Sequence, residues 1–327
     1  MSAMRTVWTV LLAVLLAAGF DAGPSSAETY PTRPIRIVVP TSPGGITDTL
    51  ARALAQRLTE SFGQQVIVEN KPAGAGHLGM DFVAKAPPDG YTLLVAADAS
   101  FVVNQHLYSK LSYDPVNDFV PISGLGISPQ ALLLHPSVPA NTFSELVAYA
   151  KTKPGELNYG TFGIGTSGHL NIVHLESETG TKFTPVHYRG AAPAITDLLG
   201  GHIQMMIVAI GLVQQNLQAG KLKALGIGAG TRLPQYPDLP AIAESVPGFL
   251  AGSWYGLAAP KGTPQEIVDK LSAETQKAFG DPAFRDKYLA PAVTFSIASP
   301  PAQFAARMAA DSAKWGKVIK AAGIKVE

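Results

Sequence analysis

Two short segments of the chain combine glycine with hydroxyl residues at the start of a helix-like pattern, and this arrangement can hold an anion. The first, residues 42–45, reads SPGG and follows the apolar run Ile35–Val39. The second, residues 163–168, reads GIGTSG. Glycine lets the backbone approach a ligand, and the first N–H groups of a helix point into the same space with the positive end of its dipole. A carboxylate or phosphate is the expected guest, although the SPGG glycines also fit an ordinary turn.

The GIGTSG segment also matches the G-x-G-x-x-G pattern of dinucleotide-binding sites. It follows a strand-like run and precedes a helix-like one, as that pattern requires. The next strand-like run ends at Tyr188-Arg189-Gly190, where an NAD site would have Asp or Glu for the ribose hydroxyls. Arg189 would suit a 2′-phosphate, which leaves a nicotinamide cofactor open as an alternative. A second anion site, in which the hydroxyls of Thr166 and Ser167 assist the helix N–H groups, is the better interpretation.

Nucleophilic catalysis and metal binding find little support in the sequence. The chain has no Cys and no G-x-S-x-G pattern. Ser167 and His169 are two positions apart on the predicted helix and do not face each other. His169 and His174 are five apart, not four as in H-E-x-x-H. We therefore expect no catalytic residue, no metal and no cofactor, and a secreted hydrolase using Ser167 and His169 is the alternative function.

Asp48 lies in the first turn of the predicted helix that follows Gly45. An acidic side chain there complements the helix dipole and accepts hydrogen bonds from free N–H groups. The same carboxylate can also fix the loop, or hold a water molecule or a ligand amine. Both interpretations remain open at this point.

The composition limits the class of protein. A chain of 327 residues is long enough for about two domains, and its net charge of +1 gives no support for nucleic-acid binding. Arg5, an apolar run over residues 7–20, and Ser25-Ser26-Ala27 predict a secretory signal peptide, residues 1–27, cut after Ala27. The run is shorter than the ~20 residues of a membrane-spanning helix. No Cys follows it, which excludes lipid attachment at cysteine.

Strand-like and helix-like runs alternate through the first part of the chain. Strands are predicted over residues 35–39, 65–70 and 91–97, with one helix beginning at Ile46 and another over residues 77–86. This order is typical of a parallel sheet with helices on its faces. Ligands of such sheets lie at the carboxyl ends of the strands, where residues 42–45 and 98–101 are expected.

A second series follows further along the chain. Two short apolar runs cover residues 119–126 and 131–134, and alternating strands and helices then cover residues 157–228. Residues 232–252 are predicted to be irregular. Helices return over residues 264–279 and 301–322, with a strand predicted between them over residues 293–298. Two α/β units joined by crossing segments near residues 125–130 and 250–256 predict a bilobed receptor that closes around a ligand.

With these motifs in place, the chain resembles the Bug-type receptors, the periplasmic substrate-binding proteins of the tripartite tricarboxylate transporter family. The resemblance covers essentially the whole chain after the signal peptide. It rests on several blocks in the same order: PTRPIRIVVPTSPGGITDTLARALAQRL, VIVENKPAGAGHLG, PPDGYTLL, LNYGTFGIGTSGHLN, VHYRGAAPAITDLLGGHI, AGKLKALGIG and WYGLAAPKGTP.

The resemblance implies an α/β periplasmic binding protein of two lobes, each a mixed, mostly parallel sheet flanked by helices, with the ligand cleft between them. Lobe 1 would comprise residues 28–127 and 252–327, and lobe 2 residues 128–251. The ligand would be a small carboxylate: a di- or tricarboxylate, an amino acid or an aromatic acid. The protein would be a periplasmic monomer that delivers its ligand to the membrane permease subunits of a transporter; a ligand sensor for a signalling partner would share the binding step.

The resemblance also assigns ligand-binding residues, largely through backbone and hydroxyl groups. In the first lobe they are Ser42, Pro43, Gly44, Gly45, Thr47, Asp48, Ala99 and Ser100. In the second lobe they are Gly163, Gly165, Thr166, Ser167, Tyr188, Gly190 and Ala191. One departure concerns residues 208–211, which read VAIG where the family commonly has a polar strand end. This departure favours an aliphatic or aromatic acid over citrate.

Overall fold

Ten β-strands form one mixed sheet in the part of the chain that the computed structural model describes, residues 30–72 and 76–326. The predicted signal peptide lies outside these residues. The strands are β1 (Ile35–Val39), β2 (Val66–Asn70), β3 (Thr92–Ala97), β4 (Phe119–Leu134), β5 (Asn158–Thr161), β6 (Thr184–His187), β7 (Met205–Ala209), β8 (Lys223–Ile227), β9 (Gly252–Pro260) and β10 (Phe295–Ser296). Their order is β2-β1-β3-β9-β4-β7-β5-β6, with β8 and β10 also paired to β4.

Helices cover the faces of this sheet. The α-helices are α1 (Ile46–Phe62), α2 (His77–Ala84), α3 (Asn104–Leu107), α4 (Phe143–Thr152), α5 (Ser167–Thr179), α6 (Ala191–Leu199), α7 (Gln214–Gln218), α8 (Gln265–Gly280), α9 (Pro282–Phe284) and α10 (Pro301–Ala322). Turns of π-helix cover Ala99–Val103 and Arg285–Leu289, and 3₁₀ turns cover Ile210–Leu212, Ile242–Glu244 and Ala290–Ala292. No helix within the described ranges combines the length and apolar character needed to cross a membrane.

The first part of the sheet follows the predicted order. Strands β2, β1 and β3 are parallel neighbours. Helix α1 begins directly after Gly45, which caps it in an extended conformation, and ends at Gly63 in the left-handed conformation. Its Leu50, Leu54 and Leu58 are fully buried. Because these leucines are four residues apart, they form one stripe that packs the helix onto the sheet and fixes the direction of its N-terminus.

The two apolar runs predicted over residues 119–126 and 131–134 are wrong as separate elements, because they form the single strand β4. Gly124 and Gly126 break the apolar pattern, since a Cβ there would lie 2.9 Å from the carbonyl oxygen of Ile297 and 2.6 Å from Cγ2 of Thr294. Residues 294–297 therefore pack directly on the strand. This close approach requires glycine in the middle of a strand.

Strand β4 connects the two halves of the sheet. From Phe119 to Pro129 it pairs with β9 in antiparallel fashion, and from Gln130 onward it pairs with β7. On the far side of β7, strands β5 and β6 are parallel to it and to each other. Strands β4 and β9 are thus the crossing segments. One apolar cluster lies mainly in the first half and includes Leu170 of α5, and two lie mainly in the second half, one of which includes Val293.

Two further boundaries differ from the sequence prediction. Helix α2 ends at Ala84, where Lys85 leaves the helix, and not at residue 86. The predicted strand over residues 293–298 shrinks to Phe295–Ser296, because Val293 adopts a left-handed conformation just before it. Neither difference moves the glycine segments relative to their helices.

Candidate functional site

The SPGG segment forms the turn between β1 and α1. Gly44 has a φ of +86°, a conformation that favours glycine, while Ser42 and Pro43 are exposed beside it. Helix α1 then leaves the backbone N–H groups of its first residues without a hydrogen-bond partner among the described residues, as expected at a helix start. Thr47, the second residue of this helix, is buried. The turn therefore presents backbone donors at the carboxyl edge of the sheet.

Asp48 stabilises this turn by hydrogen bonds. Its Oδ2 accepts hydrogen bonds from the N–H of Gly44 and from Nε of Arg52, both at 3.0 Å. Its Oδ1 accepts from Nδ2 of Asn70 at 3.0 Å, and the same amide donates to the carbonyl oxygen of Thr41. Burial favours a raised pKa, but these hydrogen bonds and Arg52 outweigh it and lower the pKa of Asp48 below its ordinary value. The carboxylate fixes the loop and is ionised at neutral pH.

We expect Asp48→Ala to lower the free energy of unfolding by about 2–3 kcal/mol, because it removes a buried carboxylate that accepts hydrogen bonds from the N–H of Gly44 and from the side chains of Asn70 and Arg52. The lowered pKa means that this contribution is complete above the ordinary value of 3.8 and is lost as the pH falls through the folded-state value. Urea unfolding measures it. Arg52→Met removes only the half-exposed ion-pair partner and should cost less than about 1 kcal/mol; equal losses in the two variants would contradict a role in fixing the loop.

A second edge lies at the end of β3. The carboxyl group of Asp98 is buried, and its Oδ1 accepts hydrogen bonds from the N–H of Ala99 at 2.9 Å and from Oγ of Ser253 at 2.7 Å. Burial is the main reason why the pKa of Asp98 rises to about 7. Ser100 is buried next to it, and a Cβ on Gly76, which precedes α2, would lie 3.7 Å from its Oγ. Asp98 thus anchors Ala99 and Ser100 to the crossing strand β9.

The GIGTSG segment forms a compact loop between β5 and α5. Gly163 and Gly165 have φ of +137° and +76°. The N–H of Gly163 donates to Oγ1 of Thr161, and Oγ1 of Thr166 donates to the carbonyl oxygen of Gly163 at 2.7 Å. The N–H of Gly165 donates to Nδ1 of His169 at 3.1 Å. The hydroxyl hydrogen of Thr166 and the N–H of Gly165 are therefore used inside the loop, which leaves the start of α5 as the source of donors.

Ser167, the first residue of α5, keeps such donors. Its backbone N–H and that of Gly168 have no partner in the described part of the chain. Its Oγ accepts a hydrogen bond of 2.7 Å from Nε2 of Gln130, whose Oε1 accepts from Nδ2 of Asn171 at 2.8 Å. Sequence reasoning missed Gln130. The available signal was a single amide side chain inside the apolar run ISPQALLL.

His169 accepts a hydrogen bond from the GIGTSG loop and is not paired with Ser167. Its Nδ1 accepts the N–H of Gly165, so the ring is neutral with its hydrogen on Nε2. Burial, with His187 nearby, lowers the pKa of His169 to about 4. The ring stacks on Tyr159. Within the described residues no hydrogen bond joins Ser167 to His169, so this pair does not have the geometry of a nucleophile and its base.

The remaining predicted residues lie at the start of α6. The hydroxyl of Tyr188 donates to Oδ2 of Asp197 at 2.7 Å, and burial first, then this carboxylate, raises the pKa of Tyr188 to about 12. Gly190 caps α6 with a φ of +155°. Ala191 is the first residue of the helix and is partly buried against the core of this half. The hydroxyl hydrogen of Tyr188 is therefore used within its own half.

Two of the contacts between elements of the two halves involve the glycine segments. Gly44 and Gly211 line one open groove of about 260 Å³, together with Leu212 and the segment near residues 287–292. A Cβ on Gly165 would lie 1.9 Å from Cδ1 of Leu107, so the GIGTSG loop contacts α3 directly. Two helix N-termini with free N–H groups, one in each half of a sheet joined by crossing strands, define a two-lobed ligand-binding protein.

Comparison with known proteins agrees with this class. Residues 50–324 match the model of the tripartite tricarboxylate transporter family receptor, and the chain belongs to that family. It is 35% identical to protein BugT of Bordetella pertussis over 324 residues, which cover 98% of this chain and 99% of BugT. The predicted family is thus confirmed.

Solved structures give the same result for the fold. The R. palustris protein Rpa4515 with adipate is 35% identical, with a TM-score of 0.85 over 90% of this chain and 99% of that protein. MatC from Rhodopseudomonas palustris with bound malate is 32% identical, with a TM-score of 0.79 over 89% of this chain and all of that protein. The predicted two-lobed periplasmic binding protein fold is confirmed.

Proposed function

We propose that the protein captures a small carboxylate in the periplasm and passes it to a tripartite transporter for uptake. The observation that carries the proposal is the pair of helix starts, at Ile46 and Ser167, whose backbone N–H groups lack partners among the described residues. Such groups bind a carboxylate without a fixed positive charge. Two relatives of similar fold were solved with adipate and malate, both small dicarboxylates.

The proposed lobes are those predicted from the sequence, residues 28–127 with 252–327, and residues 128–251. The pairing of β4 supports this division, because the strand changes partner from β9 to β7 at Gln130, two residues beyond the proposed boundary. Closure of one lobe on the other excludes water from the ligand and strengthens the contacts between helix dipoles and the carboxylate. We propose the fifteen predicted ligand-binding residues as the region of contact. Among them, the free backbone donors at the two helix starts bind the anion directly.

The end of β7 favours an aliphatic or aromatic acid over citrate. Val208, Ala209 and Ile210 are buried and offer no side-chain donor or acceptor. A ligand with a hydroxyl and a third carboxylate would lose hydrogen bonds to water there without replacing them. An apolar carbon chain suits such a surface.

The permease subunits of the transporter are the proposed partners, and the protein acts as a monomer. Residues 1–27 are proposed to direct it to the periplasm and to be removed. The protein acts by binding, without catalysis. The hydrogen bond from the N–H of Gly165 to Nδ1 of His169 supports this, because His169 is then not available to Ser167 as a base.

A thermal-shift screen of the purified protein tests the proposal. Mono-, di- and tricarboxylates, aromatic acids, acidic amino acids and nucleotides form the panel, and a ligand that binds only the folded state raises the melting temperature. We expect a shift with dicarboxylates or aromatic acids, and unchanged ligand after incubation. A shift with nucleotides alone, or conversion of the compound, would overturn the proposal.

A matched pair of glycine variants locates the binding in that screen. A Cβ on Gly45 meets nothing within 4 Å, so Gly45→Val should fold, but its side chain covers the start of α1 and should abolish the shift. Gly280→Val, equally open and at the end of α8, should keep it. Equal shifts in both variants would contradict a site at the SPGG turn.

A further inference from the structure

We infer that Gln130 is a positioning residue that holds the hydroxyl of Ser167 as a hydrogen-bond donor for the ligand carboxylate. The inference rests on the proposed function. Gln130, Ser167 and Asn171 are all buried, with exposed fractions of 2%, 7% and 0%. Gln130 bridges the first and second turns of α5, because Ser167 and Asn171 are four residues apart on that helix.

The direction of these hydrogen bonds decides what the hydroxyl can do. A serine hydroxyl has one hydrogen and two lone pairs, and the amide nitrogen of a glutamine can only donate. Since Nε2 of Gln130 donates to Oγ of Ser167, the hydroxyl hydrogen cannot point back to that nitrogen. No acceptor for it exists among the described residues. The hydrogen therefore remains available beside the free N–H groups of Ser167 and Gly168.

The reverse chain of hydrogen bonds would remove this donor. If both amides were turned by half a turn, the Ser167 hydroxyl would donate to Gln130, and the amide nitrogen of Asn171 would be buried without an acceptor. In the observed orientation only the Oδ1 acceptor of Asn171 lacks a partner. Buried donors without partners are rarer than buried oxygens without partners. The observed direction is thus the favoured one.

The main chain holds Gln130 firmly in place. Its N–H donates to the carbonyl oxygen of Ala251 at 3.0 Å, and its own carbonyl oxygen accepts from the N–H of Gly228 at 2.7 Å. It also pairs with Ala209 at the point where β4 leaves β9 and joins β7. The side chain therefore extends from the crossing strand to the start of α5, and the donor direction at Ser167 is set from the junction of the two lobes.

A double-mutant cycle tests the inference, with adipate as the probe and isothermal titration calorimetry as the measurement. We expect Ser167→Ala to weaken binding about tenfold, as for loss of a hydrogen bond to a charged group. Gln130→Met, of similar length, should weaken it about three- to tenfold, because the hydroxyl is then free to turn away. The double variant should bind within about twofold of Ser167→Ala, since Gln130 acts only through that hydroxyl.

Gln130→Glu distinguishes a role in hydrogen bonding from a role in packing, because only the former predicts an effect of pH on affinity. At neutral pH its carboxylate accepts the hydrogen of Ser167, so affinity should fall further than in Gln130→Met. On acidification the protonated side chain can donate again, and affinity relative to wild type should recover. When Ser167→Ala is also present, the loss of affinity caused by Gln130→Glu should be smaller than in the wild-type chain. Circular dichroism and the melting temperature check that each variant is folded, and Gln130→Met alone carries the test if the buried acid prevents folding.

The outcomes separate the two proposals. Wild-type affinity in Gln130→Met, or a loss that adds fully to that of Ser167→Ala, would overturn the role of Gln130 while leaving the receptor function intact. If adipate does not bind the wild type, the carboxylate with the largest thermal shift takes its place as the probe. Absence of binding by every carboxylate would reject the proposed function and this inference with it.

Discussion

Gly165→Ala is expected to weaken carboxylate binding about tenfold or more and to lower the free energy of unfolding by about 2–5 kcal/mol. Gly165 has a φ of +76°, which costs an alanine about 1–2 kcal/mol. Its Cβ would lie 1.9 Å from Cδ1 of Leu107, a side chain that is itself buried. Overpacking of that kind typically costs about 1–3 kcal/mol. Titration calorimetry and urea unfolding measure the two effects.

The backbone strain at Gly165 and the overlap of its Cβ with Leu107 can be separated with two further variants. Gly180 ends α5 with a φ of +66° and has nothing within 4 Å of an added Cβ, so Gly180→Ala shows the backbone strain alone. Leu107→Ala combined with Gly165→Ala removes the overlap and should restore part of the affinity. If Gly165→Ala matched Gly180→Ala in both measurements, the contact between the loop and α3 would have no role in binding.

Local patterns in the sequence predicted the elements that carry the two glycine segments. The turn before α1 and the loop before α5 depend on residues that are neighbours in the chain, such as Gly44, Gly45 and the leucine stripe of α1. Strand β4 was missed as one element because its regularity depends on two partners that are distant in sequence, β7 and β9. Its interior glycines reflect packing by residues 294–297, which no local pattern reveals.

The hydrogen-bond partners of the polar side chains were harder to predict than the positions of these residues in the fold. The sequence correctly placed Thr166 beside the glycine loop and Tyr188 near the start of α6, but it could not show that their hydroxyl hydrogens are taken by Gly163 and Asp197. Those hydrogen bonds depend on side-chain directions set by the folded loops. Gln130 was missed for the same reason, since only strand pairing brings it to α5.

Asp98→Asn is expected to remove a large pH-dependent contribution to the free energy of unfolding. Burial raises the pKa of Asp98 from its ordinary value of 3.8 to about 7, and the charge of Asp311 adds to this, while hydrogen bonds from Ser253 and Ala99 oppose it. The contribution of Asp98 to stability is therefore complete below 3.8 and is lost as the pH rises through about 7. At 1.36 kcal/mol per pKa unit, the loss is on the order of 4 kcal/mol.

The measurement is the difference in unfolding free energy between wild type and Asp98→Asn at several pH values between 4 and 8. It should fall steadily with rising pH, because the unfolded chain ionises Asp98 before the folded chain does. Comparison with the variant cancels the other carboxyl groups, and Lys314 and Tyr255, which also face Asp98, are present in both proteins. Asp114→Asn is the matched control: hydrogen bonds from Asn117 lower the pKa of Asp114 below 3.8, so its pH dependence lies below this range and its difference should stay nearly flat between pH 4 and 8. A difference for Asp98→Asn that stays flat over this range would mean that the carboxyl group ionises in the folded protein as easily as in water, and that Ser253 and the Ala99 N–H compensate fully for its burial.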